Sequence, residues 1–330
     1  MTHTVTTPSA AWTTPAAPAP ALVEPAPGTP YQHVFREPGR RWWRPLVSLG
    51  LFVAIYLGMS ILLGIVLAAS LLVAIAATPT LDPEALVNLT GLTGWTSVAV
   101  LLVMNLALAT LIPSVLVANR VAHLLPTGYT HSIAGRFRFA WAGLVFAVLV
   151  PVWLVYVVIS WLLEPIPLFT HVETPAVTLA LIGVCLLTTP LQAAGEEYFF
   201  RGWLLQNIGV AIPRPVVALV VPTIVSATLF SLAHGSFDGW VIVSLASMAV
   251  AACWMTWRTG GLEAAVAFHT VNNVVIIVGQ AALGVPLMAS MVSDDTSGTL
   301  VGALLGVASS LVAMGVVEML ARRQGITATR

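Results

Sequence analysis

The chain has no lysine, and only 8% of its 330 residues are charged. A soluble domain carries about 25%, so the shortage argues against a surface bathed in water. All the basic residues are arginines, and thirteen of them balance thirteen acidic residues. A net charge of zero gives no reason to expect nucleic acid or a strongly acidic partner. Cysteine is scarce as well. Cys185 and Cys253 both fall in apolar stretches, where a thiol behaves as a small hydrophobe, and no CxxC pair suggests a zinc ribbon or redox site. The absence of HExxH excludes a zincin helix, and no GxSxG elbow is found. The N-terminus lacks the basic start, apolar run and small-residue cleavage site of a signal peptide.

What is present is apolar: 58% of the residues are hydrophobic, arranged in runs near the roughly 20 residues a helix needs to cross a bilayer. Eight candidate spans are expected, over 46–77, 97–119, 139–163, 176–206, 215–237, 239–257, 262–285 and 298–320. The fold class is therefore all-α, a polytopic bundle of about eight transmembrane helices, embedded as a multi-pass protein of the cell membrane. Residues 1–41, rich in Pro, Ala and Thr, read as a disordered tail that cannot bury enough surface to offset its ordering entropy. Residues 42–175 hold the first three spans, 176–285 a core of four, and 286–330 the last span with a short basic tail.

Arginine fixes the expected orientation. Arg36, Arg40, Arg41 and Arg44 precede the first span, and Arg120, Arg136 and Arg138 lie between the second and third. Arg214 and Arg258 follow the fourth and sixth, and Arg322, Arg323 and Arg330 close the chain. The intervening connections carry Asp82, Glu84, Glu164, Glu173, Asp294 and Asp295 without arginine. By the positive-inside rule both termini are expected in the cytoplasm. Trp42 and Trp43 beside these arginines fit an interfacial anchor. No internal repeat supports a transporter of inverted halves.

Few ionisable residues lie inside the spans. Each charge at mid-bilayer costs about 2.5–3.5 kcal/mol, so such residues are functional candidates. In "EEYFFRG" (196–202), Glu197 and Arg201 are four apart, share a helical face and are ordered favourably for an ion pair. Glu196 lies about 100° round the helix and is left as the freer carboxylate, suited to act as a general base. The plain alternative is a structural ion cluster clamping helices. His234 ends "FSLAH" (230–234) and taken alone reads as a packing residue. His269 and Asn273 of "HTVNN" share a face and can donate to a developing oxyanion, with Asn272 one step off it. Glu263 and Glu318 sit at span ends, within reach of an interface. Depth raises a conflict. Glu196 and His269 lie about 15 Å and 11 Å from one side at 1.5 Å per residue, but His234 ends its span. A helix beginning near Pro222, with 209–221 interfacial or re-entrant, would reconcile them.

The ordered set "EEYFFR", "FSLAH" and "HTVNN" resembles the CAAX protease and bacteriocin-processing family of intramembrane proteases, of Rce type, whose motifs are EExxxR, FxxxH and HxxxN. The resemblance covers about residues 176–282. It implies a membrane-embedded peptidase in which Glu196 and His234 activate water, His269 and Asn273 stabilise the oxyanion, and Glu197, Arg201 and Phe230 support them. It implies hydrolysis near the cytoplasmic face of a peptide or membrane-protein substrate, lipidated in some members. Members are usually described as metalloproteases, and a metal-free glutamate mechanism is also argued. Glu196, His234 and His269 could ligate Zn²⁺ with an open fourth position, or work without it. A carrier, proton relay or non-cleaving scaffold would keep the same polar cluster, but Asn273 beside His269 suits an oxyanion better than a proton wire.

Overall fold

The computed structural model describes residues 24–36, 41–77, 93–166, 168–170, 172–287, 292 and 296–329. Helices dominate: α1 (Arg44–Ala77), α2 (Gly94–Ala109), α3 (Leu111–His123), α4 (Phe139–Leu163), α5 (Pro175–Glu197), α6 (Leu204–Gly209), α7 (Val217–Ala233), α8 (Gly239–Thr259), α9 (Glu263–Ala282) and α10 (Leu300–Gln324). Among the described residues no strand forms. Seven helical segments are long and apolar enough to cross a membrane, with α2–α3 and α5–α6 each counting as one, and α7 is a shorter eighth. The protein is a multi-pass membrane bundle. Asp82, Glu84, Asp294 and Asp295, used above for orientation, lie outside the described residues, as does Arg40.

The central helix is α9. In its apolar window 61% of residues are buried within the protein, against 6% for α1, so α1 faces outward and α9 forms the core. It packs on α4, α5 and α8, while α10 covers α4 and α8. Close approach is permitted by alanines at the crossing: Ala251 and Ala252 on α8, Ala264, Ala265 and Ala267 on α9, and Ala313 and Ala321 on α10 are all buried. Lipid is as apolar as any side chain, so small residues that bring backbones together favour helix association where the hydrophobic effect cannot.

One expected span is broken. Between α2 and α3 the chain turns at Thr110, three residues before Pro113. A proline has no N–H to give the carbonyl four residues earlier, and its ring crowds that carbonyl. Gly195 of α5 seats against this break. A Cβ built on Gly195 would lie 2.1 Å from the Leu108 carbonyl oxygen, so only glycine allows α5 this close just before Glu196.

Two expectations about local structure are corrected. Residues 24–36, assigned by composition to the disordered tail, dock on the bundle. Tyr31–His33 form a 3₁₀ turn, with Tyr31, Val34 and Phe35 buried. Tyr31 Oη donates to the Thr130 carbonyl at 2.5 Å, Gln32 Nε2 to that of Pro215 at 3.2 Å, and Phe35 stacks on His123 at 4.2 Å between ring centroids. The Pro/Ala-rich composition stops at Pro30, and the aromatic pair that follows supplies the apolar surface the earlier segment lacks. The rest of 1–41, apart from Arg41, lies outside the described residues.

The helix expected to begin near Pro222 begins earlier, at Val217, with Pro222 inside it. Helical bonds already run from Ala218 N to Arg214 O, Leu219 N to Pro215 O and Val220 N to Val216 O. Pro215 therefore takes the first-turn place, where its missing N–H costs nothing. Residues 210–216 are a tight turn rather than a long re-entrant stretch. The turn is held from outside by Gln32 and by Arg36, which donates to the Ile212 carbonyl at 2.8 Å.

Gly195→Ala is expected to destabilise the bundle by at least the roughly 1–3 kcal/mol typical of overpacking, because a backbone carbonyl cannot swing aside. Gly183→Ala, on the same helix with nothing within 4 Å of its added Cβ, should be neutral or slightly stabilising. Thermal unfolding of the two variants in one detergent checks this, and equal melting temperatures would disprove the close-approach argument.

Candidate active site

Glu196 and Glu197 are the last two residues of α5. The backbone then winds as a π turn over Tyr198–Trp203 before resuming as α6. Single π turns inside helices are frequent at functional sites. Arg201 lies within this turn, and its side chain and that of Glu197 are both fully buried. Arg201 Nη1 donates to Glu197 Oε1 at 2.8 Å, so the pair expected from spacing forms. The guanidinium also lies over the Phe230 ring, 4.7 Å from its centroid.

The same oxygen of Glu197 accepts a second bond, from His269 Nδ1 at 2.8 Å. With Nδ1–H donated there, Nε2 is the ring nitrogen left to face the site. His269 Nε2 stands 3.7 Å from Glu196 Oε2, beyond hydrogen-bond range. Glu196 Oε1 accepts from Gln192 Nε2 at 2.6 Å, and Gln192 Oε1 accepts from Asn273 Nδ2 at 3.0 Å. Asn272, one step off the face, donates to Asn273 Oδ1 at 3.0 Å. Glu196 Oε2 is buried and takes no hydrogen bond from the described residues.

His234 stands apart. It caps the C-terminal end of α7, and its Nδ1 bonds the Phe230 carbonyl at 2.7 Å. Among the described residues no hydrogen bond or ion pair joins it to Glu196 or His269. Phe230 makes the link. Its ring centroid is 4.6 Å from that of His234 and 5.8 Å from that of His269. Phe230, one turn earlier, is the residue of α7 that reaches the acidic cluster.

The structure therefore brings Glu196, Glu197, Arg201, Phe230, His269 and Asn273 into one cluster and holds His234 at its edge. Sequence reasoning missed Gln192 because it started from ionisable residues and weighed carboxamides only beside His269. The available signal was a carboxamide four residues before Glu196, on the same helical face. Glu263, the first residue of α9, has a fully buried side chain, held by Arg138 through Nη2 at 2.7 Å and through the backbone N and Nε at 2.9 and 2.8 Å. The first turn of α9 thereby gains a carboxylate that favours its dipole and a tether to the start of α4.

Among the described residues no group of three His, Cys, Asp or Glu side chains is gathered to hold a metal ion. Glu196 and His269 approach each other at 3.7 Å, and no described hydrogen bond or ion pair brings His234 to them. As arranged, Glu196, His234 and His269 are not gathered as a zinc site, and no step below is routed through one.

Breaking a buried pair leaves an uncompensated charge and typically costs about 3–5 kcal/mol. Arg201→Met is expected to destabilise by that order, and Arg201→Met combined with Glu197→Met by less, since the double change removes the stranded charge. Thermal unfolding of the two variants tests the ordering. A double variant less stable than the single one would contradict it.

Residues 177–275 match the family described as type II CAAX prenyl endopeptidase Rce1-like. Over 99 residues the chain is 27% identical to the uncharacterized protein YyaK of Bacillus subtilis (strain 168), covering 28% of this chain and 32% of that protein. The chain thus aligns with about a third of that relative's length. No solved structure matches. The matched segment runs from α5 to α9 and carries all three motifs with the cluster they build.

Proposed function

We propose that the protein is an intramembrane endopeptidase that hydrolyses a peptide bond with a water activated by Glu196. The observation that carries this reading is the division of labour between the carboxylate oxygens of Glu196. One is fixed by Gln192, and the other is buried, unbonded and turned toward His269 Nε2 at 3.7 Å. That separation suits one small oxygen species touching both groups.

In the proposed reaction Glu196 Oε2 takes a proton from water as the water oxygen bonds to the scissile carbonyl carbon. The carbonyl electron pair moves onto oxygen, and the oxyanion is met by the second N–H of Asn273 and by His269. The imidazolium form of His269 donates from Nε2 while Nδ1–H stays on Glu197. Collapse breaks the C–N bond, and the proton carried by Glu196 passes to the leaving nitrogen. His234, with Nδ1 bonded to the Phe230 carbonyl, offers Nε2 as a second proton acceptor. Such acid–base assistance contributes about a hundred- to ten-thousand-fold.

The substrate on this reading is a peptide or membrane-protein segment presented at the cytoplasmic face, with lipidated chains included by the family description. The orientation rests on the alternating arginines. The side chain hydrogen-bonded to Glu196 also supports hydrolysis over a proton relay. It is the carboxamide of Gln192, which donates and accepts hydrogen bonds but does not pass protons on.

Glu196→Gln is expected to lower cleavage by about a hundred- to ten-thousand-fold while the purified protein keeps its thermal stability. A terminal-proteomics comparison of membranes holding wild-type and Glu196→Gln protein identifies the cleaved chains. The same set of new termini in both membranes would refute the proposal.

A further inference from the structure

We infer that Gln192 is a positioning residue set by Trp153 through hydrogen bonds that all point one way, an inference that rests on the proposed role of Glu196. Trp153 lies on α4, buried, with its ring edge-on to Phe268 at 5.3 Å. Its Nε1–H donates to Asn272 Oδ1 at 3.1 Å. Asn272 Nδ2 donates to Asn273 Oδ1 at 3.0 Å, Asn273 Nδ2 to Gln192 Oε1 at 3.0 Å, and Gln192 Nε2 to Glu196 Oε1 at 2.6 Å. Three helices, α4, α9 and α5, are joined by this row.

The direction of the row is fixed at both ends. An indole nitrogen can only donate, and an ionised carboxylate can only accept. Each carboxamide between them has one orientation that satisfies both neighbours, and flipping any of them would set donor against donor or acceptor against acceptor. A carboxamide is otherwise free to present either end. Here its orientation is decided by Trp153, three residues of the row away from Glu196. Two consequences follow at the site. Glu196 Oε1 is the occupied oxygen, which leaves Oε2 as the base, and Asn273 turns its N–H groups rather than its carbonyl toward α5. The row therefore specifies both the base and the oxyanion donor from one anchor.

The test reads the far end of the row. In protein labelled with ¹⁵N-tryptophan and held in nanodiscs, the Trp153 indole resonance is assigned by its loss in Trp153→Phe, a change that keeps an aromatic ring beside Phe268. Gln192→Met, which keeps the length of the side chain without its hydrogen bonds, is expected to shift that resonance. Glu196→Gln, which removes the acceptor-only end, should shift it as well. With a peptide taken from the termini found by proteomics, Gln192→Met should lower kcat by about ten- to a hundred-fold, the size of a small misplacement of reacting groups, with KM changed by less than about threefold and the melting temperature retained. Trp153→Phe should lower kcat in the same sense by less, and the two changes should combine non-additively. An indole resonance unmoved by both Gln192→Met and Glu196→Gln would overturn the inference, as would wild-type kcat in Gln192→Met. If Gln192→Met does not fold, the Glu196→Gln resonance and the kcat of Trp153→Phe decide in its place. The underlying reading fails separately, by Glu196→Gln retaining cleavage.

Discussion

One carboxylate oxygen, Glu197 Oε1, holds the centre of this protein together. It accepts from Arg201 within the π turn and from His269 on α9, both at 2.8 Å. Arg201 in turn lies on Phe230, which carries α7 to the same point. Three helical segments are thus tied to an atom with no exposure to solvent. Such a centre is a poor way to gain stability, because the desolvation of buried charges can exceed their mutual attraction, and apolar replacements are often neutral or better. Its presence amid apolar helices is explained more readily by the positions it imposes. His269 is held with one nitrogen committed and the other facing Glu196, an arrangement that packing alone would not specify.

Backbone devices bring these groups within reach. Gly195 lets α5 approach the break at Pro113 so closely that no Cβ would fit. The π turn follows within three residues and carries Arg201. The alanines of α8, α9 and α10 allow the remaining helices to close around α9, and Arg138 with Glu263 fixes where α9 begins. The glycine, the proline and the small residues act on where the backbone runs, and the polar residues act on what the side chains then meet. A bundle with the same motifs but a larger residue at position 195 would keep its chemistry on paper and lose its registration.

Much of this was legible in the sequence because the bilayer imposes lengths. Among the described residues, seven of the eight apolar runs become helical segments long enough to cross and the eighth a shorter helix, since a run long enough to span must be helical to satisfy its own backbone. The Glu197–Arg201 pair was legible because a four-residue spacing fixes a shared face. Three features were not. The docking of 24–36 depends on Tyr31 and Phe35 finding partners in Thr130 and His123, about 90 to 100 positions away, which local composition does not report. The start of α7 depended on which of three nearby prolines takes the first turn, and each fits that role alone. Gln192 was passed over because an uncharged side chain in an apolar helix draws no notice until its two neighbours are known. The later helix start drawn from the depth of His234 was wrong, since α7 begins at Val217.

The adjacent glutamates show how neighbours assign roles that residue type does not. Both are carboxylates at the end of one helix, about a third of a turn apart. Glu197 turns inward to a guanidinium and an imidazole and is left without exposure. Glu196 turns to the carboxamide of Gln192 on its own helix and keeps a small exposed fraction, 9%. An Arg partner offsets the charge of a carboxylate, whereas a carboxamide partner orients the carboxylate without neutralising it. The difference between brace and base therefore lies in what stands four residues away on each side. Glu197 has Arg201 after it, and Glu196 has Gln192 before it. The motif spells out the first of these partners, and the second lies outside it, so the three motifs alone do not specify how the free carboxylate is held.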